Sequence, residues 1–321
     1  MDLSIFFAGT AGSVPSARRG LPGLLVRRGA DRLLFDCGEG TQRQLVRSVG
    51  LADLDAVFIT HLHADHWLGL PGMLKSFELR DRERPLTVYG PPGLQEMMGV
   101  MRRVYGRLSY ELSITEVDPG QPLRRDHYEI RPFPVRHRGQ ALGYALIEDD
   151  RPGRFDAERA RSLGVSPGPD FGRLQRGVAV GDVRPEQVLG APRPGRRLVM
   201  SGDTCPCEAV LEAARGADLL VHEATFGEDE LDRARMTMHS TAAQAAEVAR
   251  EARVRLLALT HISPRYAGGE LREQARAVFP ATEVPRDLDT IELPLAERGE
   301  PELVRWQGRS GGVPEADPAP V

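Results

Sequence analysis

The stretch "ITHLHADHW", residues 59–67, sets His61, His63, Asp65 and His66 within six positions directly after an apolar run. A lone histidine is more often a satisfied core or surface group, but three with an aspartate at this spacing form the donor set of a metal site. On one turn His61 and His63 can face one side while Asp65 and His66 face another, so the cluster offers nitrogen and oxygen donors to two separate cations. Imidazole with a few carboxylates suits zinc best and manganese or iron less well, and a sulfur-free set argues against a closed structural zinc site. His127, in the polar "RRDHYEI", lacks such company and reads as a surface residue.

Donors of this kind need rigid elements behind them. The runs "LSIFFAG", "RLLFDCG", "DAVFIT", "LTVYG", "RLVMSGD", "DLLVHEAT" and "RLLALTHI" read as buried strands. Helical patterns lie between some of them: "TQRQLVRSVG" follows one strand, and "STAAQAAEVAREARV" places Thr241 and Gln244 as a capping box. Strands alternating with helices indicate a layered α/β domain. Four strand readings run into a potential ligand, namely His61, Asp203, His261 and, after "IRPFPVR", His137. Side chains leaving the strand ends of such a sheet converge on one crevice.

With 321 residues the chain accommodates two domains or one large layered domain. Hydrophobic content of 41% and charged content of 27% are ordinary for a globular protein, and no apolar run approaches the roughly 18 residues of a membrane span. The start "MDLSIFFAGT" lacks the basic lead and long apolar core of a secretory signal. Cys37, Cys205 and Cys207 cannot make a disulfide framework and suit a reducing compartment. A cytoplasmic protein is the expectation. The formal charge of −4 argues against a surface coated for nucleic acid, yet residues 151–197 hold ten arginines against five acids. Rich in Gly and Pro with little apolar periodicity, the segment reads as an insertion or extended arm. After about residue 295, "ERGEPELVRWQGRSGGVPEADPAPV" loses periodicity and reads as a disordered tail in which Trp306 can dock locally.

"HLHADH" resembles the HxHxDH motif of the metallo-β-lactamase fold, and its surroundings resemble the ribonuclease Z family of tRNA 3′-processing endonucleases. The resemblance runs to about residue 290 through "FDCGEGTQ" at 35–42, "GLPGML" at 69–74, "GDT" at 202–204, "HEATF" at 222–226, "HSTAAQAA" at 239–246 and "THISPRY" at 260–266. "GVSPGPDFGRLQRG" at 164–177 is similar to that family's protruding arm. HxHxDH alone fixes only the fold; "HEAT" with the later "HST" is far more restrictive.

The resemblance implies an α/β protein of the metallo-β-lactamase fold, a four-layer αββα sandwich with a protruding basic arm. Its domain would cover residues 1–295, interrupted by a tRNA-binding insertion at 150–197, with a tail at 296–321. It also implies two zinc ions per subunit, with manganese as a substitute. One would be held by His61, His63, His137 and Asp203, the other by Asp65, His66, His261 and the bridging Asp203. Asp36 would hydrogen-bond a ligand histidine and fix its tautomer.

Two such cations would sharpen a hydroxide for phosphodiester hydrolysis, leaving a 3′-hydroxyl on the tRNA and a 5′-phosphate on the trailer. Asp65 is expected to orient or deprotonate the nucleophile. His239, with Glu223 as its orienting carboxylate, is expected to protonate the leaving oxygen. The helix start near Thr241 disfavours imidazolium and Glu223 favours it, which places the histidine near working pH. Arg19, Gly168, Pro169, Arg173 and Arg176 would contact RNA, the arm gripping the body of a precursor tRNA through its phosphates. A homodimer is expected, one subunit's arm presenting tRNA to the other's site.

Two places depart from the family pattern. "PSARRG" at 15–20 keeps Pro15 and Arg19 of a P-x-K-x-R-N loop but has Ala17 and Gly20 at the Lys and Asn positions, so Arg18 or Arg19 must supply the cation there. Cys205 stands after "GDT" where a basic residue is common, and reads as a packed thiol. Two other readings use the same residues. One is a small-molecule metallo-hydrolase, a lactonase or phosphodiesterase, which has no need of the arm. The other is a catalytically silent RNA-binding scaffold, against which the complete ligand set weighs.

Overall fold

A side chain alternates faces along a strand, so a strand buried on both faces is apolar throughout. The first strand is such a case: Leu3, Ile5 and Phe7 enter one core while Phe6 and Ala8 enter another. The computed structural model describes residues 1–51 and 53–308. Its strands are β1 (Leu3–Gly9), β2 (Gly23–Arg28), β3 (Asp31–Phe35), β4 (Ala56–Phe58), β5 (Leu86–Gly90), β6 (Leu112–Glu116), β7 (Leu123–Arg125), β8 (Tyr128–Pro134), β9 (Leu142–Glu148), β10 (Arg197–Met200), β11 (Leu219–Glu223), β12 (Leu256–Thr260), β13 (Thr282–Glu283), β14 (Thr290–Glu292) and β15 (Glu302–Val304). They form two sheets, in the orders β15-β14-β1-β2-β3-β4-β5-β6 and β13-β12-β11-β10-β9-β8-β7.

The two sheets share an inner core in which Phe35 stacks on Phe58 with ring centroids 4.7 Å apart, beside Tyr128, Tyr144 and Met200. Helices Leu70–Glu78 and Leu94–Tyr105 cover the outer face of the first sheet with Met73, Leu74, Phe77 and Met98. Helices Glu208–Ala214, Ala242–Ala252 and Gly268–Val278 cover the second with Val210, Ala245, Ala249 and Leu271. This is the αββα sandwich that the sequence led one to expect. Strands β3 to β6 are mutually parallel, as are β10 to β13. Their carboxyl ends therefore meet along one edge of the sandwich, where donors can gather. Among the described residues no helix is long and apolar enough to cross a membrane.

Between β9 and β10 the chain departs from the second sheet, and bridges Arg151–Arg193 and Phe155–Leu189 pair its outgoing and returning strands. Its root is a buried ion cluster: Glu148 accepts from Arg28 Nε at 2.8 Å and from Arg196 Nε at 2.7 Å. Beyond it the segment has a core of its own, Ala160, Val165, Leu174, Val183 and Val188, with Phe155, Leu163, Phe171 and Val180 packed against it. The apolar residues of this arm are spread over turns and two short helices, Ala157–Ser162 and Pro169–Gln175, so they follow no single period.

The tail departs from expectation over its described part. Residues 296–308, expected to be disordered, are tied to the sheet: β15 pairs antiparallel with β14 and Leu303 packs against the inner core. The backbone N–H of Trp306 also donates to Asp289 Oδ1 at 3.0 Å. A short strand added to a sheet edge satisfies its backbone there and needs little periodicity of its own. The expectation for 309–321 lies outside the described residues.

Candidate metal centre

Each expected ligand sits just beyond a strand of the convergent edge. His61 follows β4, His137 follows β8, Asp203 follows β10 and His261 follows β12, while His63, Asp65 and His66 occupy the turn and short helix Ala64–Trp67 after His61. Left-handed backbone swings these ends inward: Asp36 and His261 both have φ 57° and Gly202, before Asp203, has φ 62°. Such a conformation is costly for residues other than glycine and persists where the surroundings demand it. Gly12 must be glycine for a related reason, since a Cβ there would lie 2.5 Å from His261 Nδ1.

Three overlapping groups of donor atoms result: His61, His63, His137 and Asp203; Asp65, His66 and His261; and Asp203, His239 and His261. In the first, His61 Nε2 and His137 Nε2 lie 2.9 and 3.2 Å from His63 Nδ1. In the second, His66 Nε2 and His261 Nε2 are 3.4 Å apart, and Asp65 Oδ2 is 3.6 and 3.4 Å from them. Asp203 Oδ2 stands between the first two groups, 3.7 Å from His61, 3.4 Å from His66 and 3.2 Å from His261. These separations bracket ~3.3 Å, the edge of a tetrahedron built on a zinc–nitrogen bond of ~2.0 Å.

The hydrogen bonds behind the ring explain why the lone pairs point inward. His66 Nδ1 donates to Asp36 Oδ2 at 2.7 Å and His137 Nδ1 to the Met238 carbonyl at 3.0 Å. His61 Nδ1 donates to Thr60 Oγ1 at 3.0 Å, and that hydroxyl in turn donates to Asp36 Oδ2 at 2.9 Å. His261 Nδ1 likewise donates to Thr225 Oγ1 at 2.8 Å, which donates to Glu223 Oε2 at 2.8 Å. With every outer nitrogen so occupied, Nε2 is left as the ligand atom in all four rings. A divalent cation fits this donor set. Asp36 touches one ligand histidine, His66, and is linked to a second, His61, only through Thr60. Thr60, Thr225 and Met238 went unassigned in the sequence, where the only cue was a threonine beside a ligand in "ITHLH" and within "HEAT".

Charge follows the same design. Burial, with the neighbouring His66, holds His61 well below the ordinary imidazole value, and burial also lowers His137. Both therefore stand neutral, as ligands must. Burial opposes charge on His66 too, but Asp203 and Asp36 prevail and push it well up, so an incoming cation displaces a proton from its Nε2. Asp65 is depressed below the usual carboxylate range, burial being outweighed by His261 and His66.

Beside the cluster, Glu223 Oε1 accepts from His239 Nδ1 at 2.8 Å and from the backbone N–H groups of Ser240 and Thr204 at 3.0 and 3.2 Å. His239 Nε2 has no hydrogen bond to protein among the described residues. Thr241 and Gln244 form the expected capping box of helix Ala242–Ala252. Burial lowers His239, but Glu223 more than offsets it, and the pKa is raised to about 9.

The expected RNA contacts lie elsewhere. Gly168 and Pro169 open an exposed helix on the arm, and Arg173 and Arg176 are exposed at its far end. Arg19 is mostly enclosed, its Nη1 donating to the Pro285 carbonyl at 2.9 Å and to Thr10 Oγ1, whereas Arg18 is exposed. His127 is exposed, as expected. Cys205 is partly buried, its Sγ 3.4 Å from the Arg136 carbonyl, and belongs to none of the donor groups.

Fold and donor set together define a hydrolase of the metallo-β-lactamase type. Residues 31–161 and 182–262 match the family model of the β-lactamase superfamily domain, the interruption falling on the arm. The chain is 50% identical over 304 residues to the ribonuclease Z of Myxococcus xanthus, covering 92% of this chain and 99% of that protein. It is 48% identical over 307 residues to that of Haloferax volcanii, covering 92% and 97%. Among solved structures, the short form of human tRNase Z superposes with a TM-score of 0.67 at 25% identity, over 91% of this chain and 99% of that one. The chain belongs to the ribonuclease Z family.

Proposed function

We propose that this chain is an endoribonuclease that removes the 3′ trailer from precursor tRNA, with two zinc ions per subunit that manganese can replace. The observation that carries the reading is the convergence of five imidazoles and two carboxylates, with Asp203 Oδ2 within 3.7 Å of His61, His66 and His261 and the Glu223–His239 pair alongside. Identity of 45–50% to proteins named ribonuclease Z supports the choice of RNA over a small ester. The first cation would be held by His61, His63, His137 and Asp203, the second by Asp65, His66, His261 and Asp203. Bound there, divalent cations acidify water and neutralise charge on a phosphodiester.

The chain's own groups do the rest. Asp65 orients the attacking water in line with the phosphorus, and the proton that this water loses passes to Asp65 or to bulk solvent. The bond that breaks is the one from phosphorus to the tRNA 3′-oxygen, and His239 Nε2 gives that oxygen its proton while Glu223 carries the countercharge. Because water and not the ribose 2′-hydroxyl attacks, the tRNA keeps a 3′-hydroxyl and the trailer a 5′-phosphate. Asp36 and Thr60 keep His61 and His66 in the ligating tautomer. Arg173 and Arg176, with the Gly168–Pro169 turn, grip phosphates of the tRNA body, and the loop carrying Arg19 meets the RNA near the cut. The reading extends to a cytoplasmic homodimer in which the arm of one subunit serves the site of the other, checked by the mass of the purified chain in solution.

Incubation with a 3′-extended precursor tRNA and mapping of both new ends tests the reaction. Deleting residues 155–185 is expected to abolish cleavage of the precursor while sparing hydrolysis of bis(p-nitrophenyl) phosphate. Equal loss of both would point to a small-molecule hydrolase.

A further inference from the structure

A second feature opens beside the metal cluster. The loop at residues 12–19 forms one wall: Gly12 packs on His261, and the Ser13 N–H donates to Asp65 Oδ2 at 2.9 Å. Residues 263–265, directly after His261, form another. Two hollows of about 920 and 780 Å³ lead away from there, sharing residues 16–19, Arg286 and Arg305. Eight arginines line them against three acids, in a chain whose net charge is −4.

Two of those acids are already engaged. Asp287 accepts from Thr10 at 2.7 Å, the Gly20 N–H at 2.6 Å and Gln44 at 2.8 Å, while Asp289 takes Arg305 at 2.6 Å. Arg18, Arg43 and Arg286 have no ion-pair partner among the described residues, so their charge faces the hollow. Two large aromatic rings line the hollows: Tyr266, whose hydroxyl is held by Asp229 and Glu230, and Trp306. Trp306 is 37% exposed, anchored through its backbone to Asp289, and the Arg47 guanidinium carbon sits 5.3 Å from its ring centroid.

An exposed indole fixed in a basic cleft has the composition of a single-strand platform, because every base offers a π face and every nucleotide a phosphate. We propose that Trp306, steadied by Arg47, stacks an unpaired ribonucleotide of the precursor's 3′ end or trailer, with Arg18, Arg43 and Arg286 holding the neighbouring phosphates. This rests on the RNA reading above. Stacking is indifferent to base identity, which suits a segment that differs from one precursor to the next. It also gives the described end of the tail a function beyond closing the sheet edge.

The test uses the full chain with Trp306→Ala and Trp306→Phe, steady-state cleavage of precursors with a long or a single-nucleotide trailer, and bis(p-nitrophenyl) phosphate as control. Trp306→Ala is expected to raise KM for precursor about tenfold with kcat little changed. Trp306→Phe should recover most of the loss, and the small ester should be unaffected. A loss confined to the long trailer assigns the stacked base to the trailer, and an equal loss on both assigns it to the unpaired 3′ end of the tRNA. Unchanged KM on both precursors, with normal turnover of the small ester, overturns the platform. A wild-type chain that hydrolyses the small ester but cuts neither precursor overturns the RNA reading and the platform with it.

Discussion

The metal pocket and the arm both owe their character to charged and polar side chains, yet they are built in opposite ways. In the pocket each outer nitrogen of His61, His66, His137 and His261 is committed to an acceptor, and Glu223 accepts five hydrogen bonds. On the arm Arg159, Arg161, Arg173, Arg176 and Arg184 stand exposed, and Arg173 is held only by long contacts, to Asp170 at 3.5 Å and to the Ala179 carbonyl at 3.4 Å. Bond breaking needs atoms fixed to within about 0.5 Å, so the pocket uses buried hydrogen bonds for orientation. Gripping a repeating phosphate backbone needs charge density, and arginines without fixed partners supply it. One changed atom should therefore silence the pocket, while the arm should decline by degrees.

His63→Ala gives the largest expected effect. It removes the nitrogen that His61 and His137 both face, so metal content per chain should fall in elemental analysis. Cleavage of precursor tRNA and of bis(p-nitrophenyl) phosphate should both drop to background. Full activity in this variant would break the pocket half of the comparison. His239→Ala is expected to slow RNA cleavage by about 10²- to 10⁴-fold. It should spare bis(p-nitrophenyl) phosphate, whose nitrophenolate leaves without a proton. Since the acid works only when protonated and its pKa is raised to about 9, the wild-type rate on RNA should fall as pH rises through that value. Positive charge bound nearby draws the limb lower, and the limb should vanish in the variant.

The same contrast decides what the sequence could disclose. His61, Asp203 and His261 were legible because strand ends of a parallel sheet must converge, and each follows an apolar run without delay. Thr60 and Thr225 were not, because whether a hydroxyl links a ligand histidine to a carboxylate depends on which side chain happens to stand behind it. Strand β6, "LSITE", escaped although Leu112 and Ile114 alternate with Ser113, Thr115 and Glu116, because two apolar positions on a short edge strand are too few to stand out from a loop. The arm showed its charge in the sequence but not its core, since Phe155, Ala160, Leu174 and Val188 meet only after two turns and two helices have folded.

A smaller effect is expected from the paired change Arg173→Ala with Arg176→Ala. KM for precursor tRNA should rise, and the slope of log affinity against log salt should shrink by about 1 for each phosphate that is no longer neutralised. Turnover of the small ester should not move. An unchanged salt slope would mean that the arm's charge serves something other than RNA, and the division of labour would need redrawing.

The smallest effect tests where pocket-like order stops and arm-like freedom begins. At the arm's root Arg151 holds Glu297 through both guanidinium nitrogens at 2.6 and 3.0 Å, and Arg193 joins at 2.9 Å. The hydrogen bond from Arg151 leads in pulling Glu297 down from 4.5 to about 2. A carboxylate whose folded pKa is depressed contributes stability that is complete above its unfolded value and is lost as pH falls toward its folded one. The clamp should thus be fully closed above pH 4.5 and release between there and about 2. Because the pair is reached by solvent, salt should weaken it, and its contribution belongs with surface pairs. Glu297→Gln should speed amide hydrogen exchange in residues 150–156 and 188–194 at neutral pH and low salt, and leave exchange at the buried Glu148–Arg196 contact unchanged. If exchange quickens at both places alike, root and sheet open as one unit, and the boundary between the ordered body and the arm lies farther out along the chain.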